Sequence, residues 1–543
     1  EAPRERALRR GRPRGHRAAP PALARERAPA MVEGGRQPLN DQRAPLADAA
    51  AAAEGLPSEP ERSYALLVFV TGLSLFNFGY NTASISGALL YIDLDQTDCS
   101  AEVVCLTSAF EKGCVVSSVL LGACLGALSG GPLGDRFGRS RALIYNNAFY
   151  IIGPVGMALS QSVETLAATR ALTGFGVGVS SALVHLYIGE SVPAARRGEY
   201  GALLVMLGSG GVLVANLVAY ALGDMWRLDL GLSAAPALLQ VLLGPFWLPE
   251  SPAWLMKRHQ HSSSSTNFSS GTASTSPALV EPSPESPPAR ASTLLAAASP
   301  ATEESSWLLL WKALRSGEAR VALGVGAGLQ LLQQISGINV AVYYGPKIFT
   351  LAHFSKHFSI LLSSAVSLAQ LAATLLLALL VDKVGRRIMA LIGCALMAVS
   401  LIILGLAFCM PEEDAGFLAL TGVLIYRVAF SISLGPLPYI ITAEIFPAAY
   451  RAPGVSLCWA VNWLSNFGVS LTFLPMLNTI GDAATFFIYA GVCLLAMVFV
   501  WACVPETNGV SMDGGAASTV STPRLGGGSG GTGVSARCPR LVV

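Results

Sequence analysis

Apolar residues run along this chain in long, nearly unbroken blocks separated by short polar stretches. Twelve blocks reach spanning length: 64–90, 112–133, 141–161, 165–188, 199–222 and 228–248, then 319–345, 358–381, 388–410, 416–441, 452–477 and 483–504. A helix of ~20 apolar residues crosses the hydrocarbon core of a bilayer, because it satisfies its own backbone where no water can. The pattern predicts an all-α membrane protein with twelve transmembrane helices. The polar punctuation repeats. GDRFGRS at 134–140 returns as DKVGRR at 382–387, GESVPAARRG at 189–198 as AEIFPAAYRA at 443–452, and PES at 249–251 as PET at 505–507. Each offset is about 250 residues. Two six-helix pseudo-repeats in the same membrane orientation follow, an arrangement that places a binding site between the halves and lets them rock around it.

Only 13% of the 543 residues are charged and 52% are hydrophobic, with a mean hydropathy of +0.53. A soluble protein of this size carries roughly twice that charged share, so the bilayer is the expected surrounding. The net charge of +2 gives no sign of nucleic-acid binding, since the basic residues fall in loops and one tail. Arg136, Arg139 and Arg141 follow the second segment, Arg196 and Arg197 the fourth, Lys383, Arg386 and Arg387 the eighth, and Arg451 the tenth. The alternate loops carry Asp93, Asp95 and Asp98, then Glu412, Glu413 and Asp414, then Asp482. The positive-inside bias puts the first set, and with it both termini, in the cytosol. The plasma membrane is the expected residence, with an organelle membrane as the alternative.

The chain divides accordingly. Residues 1–63 read as a disordered tail, within which Arg-, Ala- and Pro-rich 1–30 is either a transit peptide or upstream sequence foreign to the protein. Residues 64–256 form the first bundle, 257–306 a cytosolic Ser/Pro/Ala/Thr-rich linker, 307–509 the second bundle and 510–543 a Gly/Ser-rich disordered tail. The sequon at Asn267 falls on the cytosolic side and is expected to stay unused. Ten cysteines show no metal-ligand spacing; Cys99 and Cys105 share the first external loop, as a disulfide or as two thiols. No Walker-type phosphate loop, metal cluster or nucleophile–base pair is present, so neither an enzyme nor a cofactor is expected.

The polar residues inside the seventh segment are the informative exception. QLLQQISGINVAVYY at 330–344 sets Gln330, Gln333 and Gln334 at i, i+3, i+4, on one helix face. Gly337 then loosens the helix and Asn339 adds a fourth amide. Amides both donate and accept hydrogen bonds, so a row of them over a helix break suits a hydroxyl-rich ligand; bonding to a neighbouring helix is the competing use.

The ordered set QQISGIN, the duplicated Asp-x-x-Gly-Arg loops, PESPAWL at 249–255 and PETNG at 505–509 resembles the sugar porters of the major facilitator superfamily. That group contains facilitative glucose transporters and proton-coupled inositol and hexose symporters. The likeness covers 64–258 and 307–509, and it implies a sugar or polyol site between the halves. Gln333, Gln334 and Asn339 would contact the ligand from segment seven, Gln370 from segment eight at a position that is often Asn, and Asn462 from segment eleven, with Trp463 and Asn466 beside it. Tyr439 in GPLPY stands where a Trp usually lines the site, keeping a stacking face and adding a hydroxyl. The resemblance also implies a cytosolic gate. Asp135, Arg139, Glu190 and Arg197 would mirror Asp382, Arg386, Glu444 and Arg451, with Arg387 adjacent, forming ion pairs that hold the cytosolic ends together in the outward-open state. Gly435, Pro436 and Pro438 would supply a hinge in segment ten.

Departures from the family pattern shape the mechanism. Asn81, in GYNTASISGALLYI, lines the site where proton-coupled relatives carry Asp, and an amide cannot titrate, so facilitative transport is expected. His185 stands where relatives often have Pro and is the counter-candidate for proton coupling. Leu204 and Val205 replace a sugar-contacting Asn and Gln, and Ser431 replaces a carboxylate of the facilitative glucose carriers. Arg427, mid-membrane in segment ten, is expected to pair with a carboxylate; snorkelling along a cavity and attraction of an anionic ligand are the alternatives. GALLYI and VSLTFL lean towards the inositol branch. A monosaccharide or polyol uniporter is therefore expected, with a proton-coupled symporter and a non-transporting sugar sensor as the rivals.

Overall fold

The computed structural model describes residues 61–92, 106, 108–193, 196–256, 258, 312, 315–446 and 450–506. The tails, the linker with Asn267, and the loop holding Asp93, Asp95, Asp98, Cys99 and Cys105 lie outside the described residues, as do the side chains of Arg197, Asp382 and Arg451. The first half contains α1 (Glu61–Ile92), α2 (Ala109–Phe137), α3 (Arg139–Ala158), α4 (Val163–Ser191), α5 (Arg197–Leu222), α6 (Trp226–Leu232) and α7 (Ala235–Trp247). The second contains α8 (Gly317–Ile335), α9 (Ile338–Tyr343), α10 (Gly345–Leu351), α11 (Lys356–Val384), α12 (Arg386–Ala407), α13 (Glu412–Ser431), α14 (Leu437–Ile445), α15 (Arg451–Ile480) and α16 (Asp482–Cys503). These make up the twelve segments read from the sequence.

Ten of the segments are long and apolar enough to cross a membrane by length and composition. The other two differ for visible reasons: α3 carries Arg139, Arg141, Asn146 and Asn147, and the tenth segment is split between α13 and α14. Three segments are interrupted. Those at Gly337 and before Pro436 were legible from the residues; the break between α6 and α7 adds a third, where Pro236 opens α7 without a backbone donor. Helix starts follow side-chain chemistry. Ser108 with Glu111, and Ser162 with Thr165, form reciprocal capping boxes on α2 and α4.

Glycines set how closely the first half packs. A Cβ at Gly122 or Gly126 of α2 would lie 2.0 or 2.1 Å from the carbonyl oxygens of Ala171 and Phe175 on α4. One at Gly174 or Gly178 of α4 would lie 2.0 Å from the carbonyls of Val119 and Ala123 on α2. The two backbones interlock through i, i+4 glycines, a contact that dispersion favours inside lipid. Between α1 and α5, Gly79 and Gly211 do the same against Gly208 and Phe76.

Across the halves, α2 packs on α15 and α5 on α11, while α1 meets α9 and α10. The apolar cores are distributed unequally along the bundle. At the end bearing the duplicated charge motifs each half has its own core, one around Leu67, Leu183, Tyr187 and Leu204, the other around Leu329, Ile441, Phe446 and Val500. Toward the opposite end a single core runs through both halves, from Ile85, Val116 and Leu120 to Phe349, Leu401 and Phe486.

Candidate functional site

Two broken helices face each other inside the second half. α8 stops at Ile335, Gly337 takes φ +89° and α9 resumes at Ile338. This left-handed backbone favours glycine, and a Cβ there would also press on the Tyr489 ring at 3.0 Å. Opposite, α13 ends at Ser431 and α14 begins at Leu437, leaving carbonyls outside any helical ladder. Gln333 joins the breaks: its Nε2 donates to the carbonyls of Leu434 and Gly435, each at 2.7 Å. Unpaired backbone groups are costly in a membrane interior, so this amide is tied to the shape of α13–α14.

The remaining amides converge on the same point. Asn462 Nδ2, on α15, donates to Gln330 Oε1 at 2.7 Å and to Gln333 Oε1 at 2.6 Å. Gln334 Nε2 donates to Gln333 Oε1 at 3.3 Å, and Gln334 Oε1 accepts from Asn339 Nδ2 at 2.6 Å. Asn466 Nδ2 lies 3.4 Å from Tyr343 Oη and links α15 to α9. Gln330, Gln333, Gln334 and Asn462 are buried, with Asn339 half-buried at the margin. The interhelical use of these amides is the one observed: the cluster bonds within itself and to backbone.

An aromatic row borders the amides. Tyr439 of α14 stacks on Trp459 with centroids 4.5 Å apart, Trp459 lies 6.3 Å from Trp463, and Phe78 of α1 meets Trp463 edge-on at 5.8 Å. The row reaches from the second half into the first. Trp463 Nε1 is buried without a hydrogen-bond partner among the described residues. Trp459 and Phe78 were not singled out from the sequence; Trp459 was within reach, since it sits four residues before Trp463 on one face of α15.

Other expected residues stand apart from this cluster. Asn81 is buried, donates to Asn77 Oδ1 at 2.8 Å and to its carbonyl at 2.9 Å, and its own Oδ1 has no partner among the described residues. Gln370 Oε1 accepts from Arg427 Nη2, and Arg427 Nη1 donates to the Ala341 carbonyl at 3.0 Å. Arg427 is thus bonded to neutral acceptors; no carboxylate among the described residues pairs with it, contrary to the expected ion pair. His185 is exposed on α4, with Nδ1 3.1 Å from the Ser181 carbonyl.

Two buried charges were missed, although a charge inside an apolar block is a functional hint by default. Arg170 of α4, 1% exposed, donates from Nε to the Val115 carbonyl at 2.8 Å. Asp229 of α6, 2% exposed, has Tyr80 Oη 3.2 Å from Oδ1, while Oδ2 has no partner among the described residues. Among the described residues no cation forms an ion pair with Asp229.

The duplicated motifs build matching structures at their end of the bundle. Arg139 Nη1 lies 2.9 Å from Asp135 Oδ1, and its Nε and Nη2 bond the two oxygens of Glu190 at 3.0 and 3.2 Å. In the second half Arg386 Nη2 lies 3.7 Å from Glu444 Oε1. Each of these pairs stays inside its own half. Glu250 of PES accepts from the Ser140 backbone at 3.1 Å, and Glu506 of PET from the backbones of Arg386 and Arg387 at 2.9 and 3.1 Å. Both carboxylates sit at helix N-termini, where the dipole favours negative charge. The preceding Gly138 and Gly385 each take φ +96° and lack the Cβ that would strike Glu250 or Glu506.

Comparison with known proteins agrees with this architecture. A family model described as "Sugar (and other) transporter" matches residues 67–515. The chain is 33% identical over 466 residues to plastidic glucose transporter 4 of Arabidopsis thaliana, covering 84% of this chain and 81% of that one. It is 31% identical over 450 residues to the galactose-proton symporter of Escherichia coli K12, covering 82% and 92%. Among solved structures, the xylose transporter XylE from E. coli in a partially occluded inward-open conformation superposes with a TM-score of 0.66 at 27% identity, covering 83% of this chain and all of that one.

Proposed function

Because the chain belongs to the sugar porter family of the major facilitator superfamily, we propose that it carries a monosaccharide or polyol, a hexose or an inositol, by facilitative alternating access. The observation that carries this reading is the amide cluster at the facing helix breaks, bordered by an aromatic row that Phe78 extends into the first half. Hydroxyl-rich ligands need many paired donors and acceptors beside an apolar stacking face, and pockets between helices supply both. Gln330, Gln333, Gln334, Asn339, Tyr439, Asn462, Trp463 and Asn466 form the binding wall, and Gln370 and Asn81, which stand apart from the cluster, are the further contacts of this reading.

The unequal cores support the transport cycle. With the motif end in the cytosol, as the loop charges indicate, and both termini there, the halves share a core outside and keep separate cores inside. That is the arrangement of a carrier closed outward and parted inward, and the likeness to an inward-open xylose transporter accords with it. Rocking to the opposite state would bring the Arg139–Glu190 and Arg386–Glu444 clusters together as the cytosolic gate, in the plasma membrane on our reading.

Proton coupling is the second reading, and Asp229 favours it over His185. Among the described residues its carboxylate is buried with one oxygen unpartnered and no cation paired to it, and a carboxylate so placed inside a span is the kind of side chain that relays protons. Purified protein in liposomes, offered labelled glucose, fructose and myo-inositol with and without an inward proton gradient, separates the two. Saturable uptake indifferent to the gradient supports uniport. Accumulation that requires the gradient, and that Asp229→Asn abolishes while leaving downhill flux, supports symport. Absence of flux with binding intact would overturn both in favour of a sensor.

A further inference from the structure

Beside Arg427 lies a small cavity lined by Asn216 of α5, Ala341 of α9, Ser363 and Ser367 of α11, and Arg427 itself. It therefore sits where the first half meets the second. Its volume of about 10 Å³ leaves room for one small occupant. Arg427 is 3% exposed, and its Nη1 and Nη2 are spent on the neutral acceptors Ala341 and Gln370. Among the described residues its Nε has no partner, and neither has the hydroxyl of Ser363, which is 7% exposed.

An arginine does not shed its proton inside proteins, so burial leaves a full positive charge that carbonyl and amide oxygens neutralise only in part. The neighbouring phenol of Tyr426 is itself a donor, bonded to the Ser336 carbonyl at 2.8 Å. The other polar groups of the lining are engaged. Asn216 Nδ2 donates to Ser367 Oγ at 3.1 Å, and Ser367 donates to the Ser363 carbonyl at 2.8 Å. The unspent groups, Arg427 Nε–H and the Ser363 hydroxyl, are both able to donate. A water would bring two protons with few acceptors to meet them; an anion meets the donors and the charge together.

We propose that this cavity is a binding site for one small inorganic monoanion of the chloride class, held by Arg427 and Ser363 at the junction of the halves. Through the Arg427–Gln370 bond, its occupancy positions a side chain flanking the carrier site. The site rests on its own geometry, independent of which sugar is carried.

The test uses the purified full-length chain at constant ionic strength, with sodium chloride replaced stepwise by sodium gluconate. The thermal midpoint is expected to rise saturably by a few degrees with chloride or bromide, and 35Cl NMR lines to broaden with the protein and sharpen on addition of bromide. Arg427→Met is expected to abolish both effects. Ser363→Ala, the milder change, should raise the half-saturating chloride concentration several-fold and decides the matter if Arg427→Met cannot be purified. Equal midpoints in chloride and gluconate without 35Cl broadening, or halide effects unchanged in the variants, would overturn the site. Stabilisation by glucuronate but not by halide would overturn the inorganic assignment and give the position to a ligand carboxylate.

Discussion

Replacing Gln333 by alanine tests the carrier site most directly. The side chain donates two bonds of 2.7 Å to the Leu434 and Gly435 carbonyls and accepts from Asn462 at 2.6 Å and, at the longer distance of 3.3 Å, from Gln334. Alanine leaves both carbonyls without their donor at the α13–α14 break, whereas Asn462 keeps Gln330 as a partner. Each buried group left unsatisfied costs about 1–3 kcal/mol. Two give about 2–6 kcal/mol, and water entering the truncated space offsets part of it. If about 1.5–3 kcal/mol of this reaches the ligand-bound state, affinity falls roughly 10- to 100-fold at 1.4 kcal/mol per decade. Uptake kinetics in liposomes, with elution profile and insertion checked beside the parent, would read this as a KM raised by that factor or as lost flux. Gln333→Glu is the companion: it keeps the shape but turns an oxygen toward the two carbonyls, so it should do at least as much harm. A KM within twofold of the parent for Gln333→Ala, in properly inserted protein, would remove the segment-seven amide from the binding wall.

Two further substitutions probe the same site. Gly337→Ala puts a Cβ on a residue at φ +89°, 3.0 Å from the Tyr489 ring; left-handed strain of about 1–2 kcal/mol should lower the thermal midpoint and raise KM together, and an unchanged midpoint would count against a fixed break. Phe78→Ala removes the first half's contribution to the aromatic row, a contact of about 0.5–1.5 kcal/mol, so KM should rise about two- to tenfold with little change in stability; unchanged KM would confine the site to the second half.

Much of the fold was open to reading because a membrane helix must be continuously apolar, which makes each span visible without its partners. The break at Gly337 was equally visible, since glycine interrupts an otherwise uniform block. The break before Pro236 was not, because serine and alanine flank it and disguise it as helix. In the site, the spacing of Gln330, Gln333 and Gln334 placed them on one face, but nothing in the sequence told that Gln333 would hold the carbonyls of a second broken helix. Partner choice depends on which backbone groups lie bare after folding. For the same reason Arg427 was expected beside a carboxylate and lies instead against Gln370 and Ala341.

The glycine contacts of the first half bear on how this chain could be engineered. Where Gly122, Gly126, Gly174 and Gly178 bring α2 and α4 backbone to backbone, even a methyl group would collide with a carbonyl, and a carbonyl cannot rotate out of the way. In the second half the corresponding obstacles are largely side chains: Phe499 beside Gly328 and Phe487 beside Gly405. Those rings can turn aside. A mutant library built to change what the chain accepts should therefore leave the first half nearly untouched and concentrate its diversity in α8, α9, α14 and α15, where substitutions meet movable neighbours and the amides already lie.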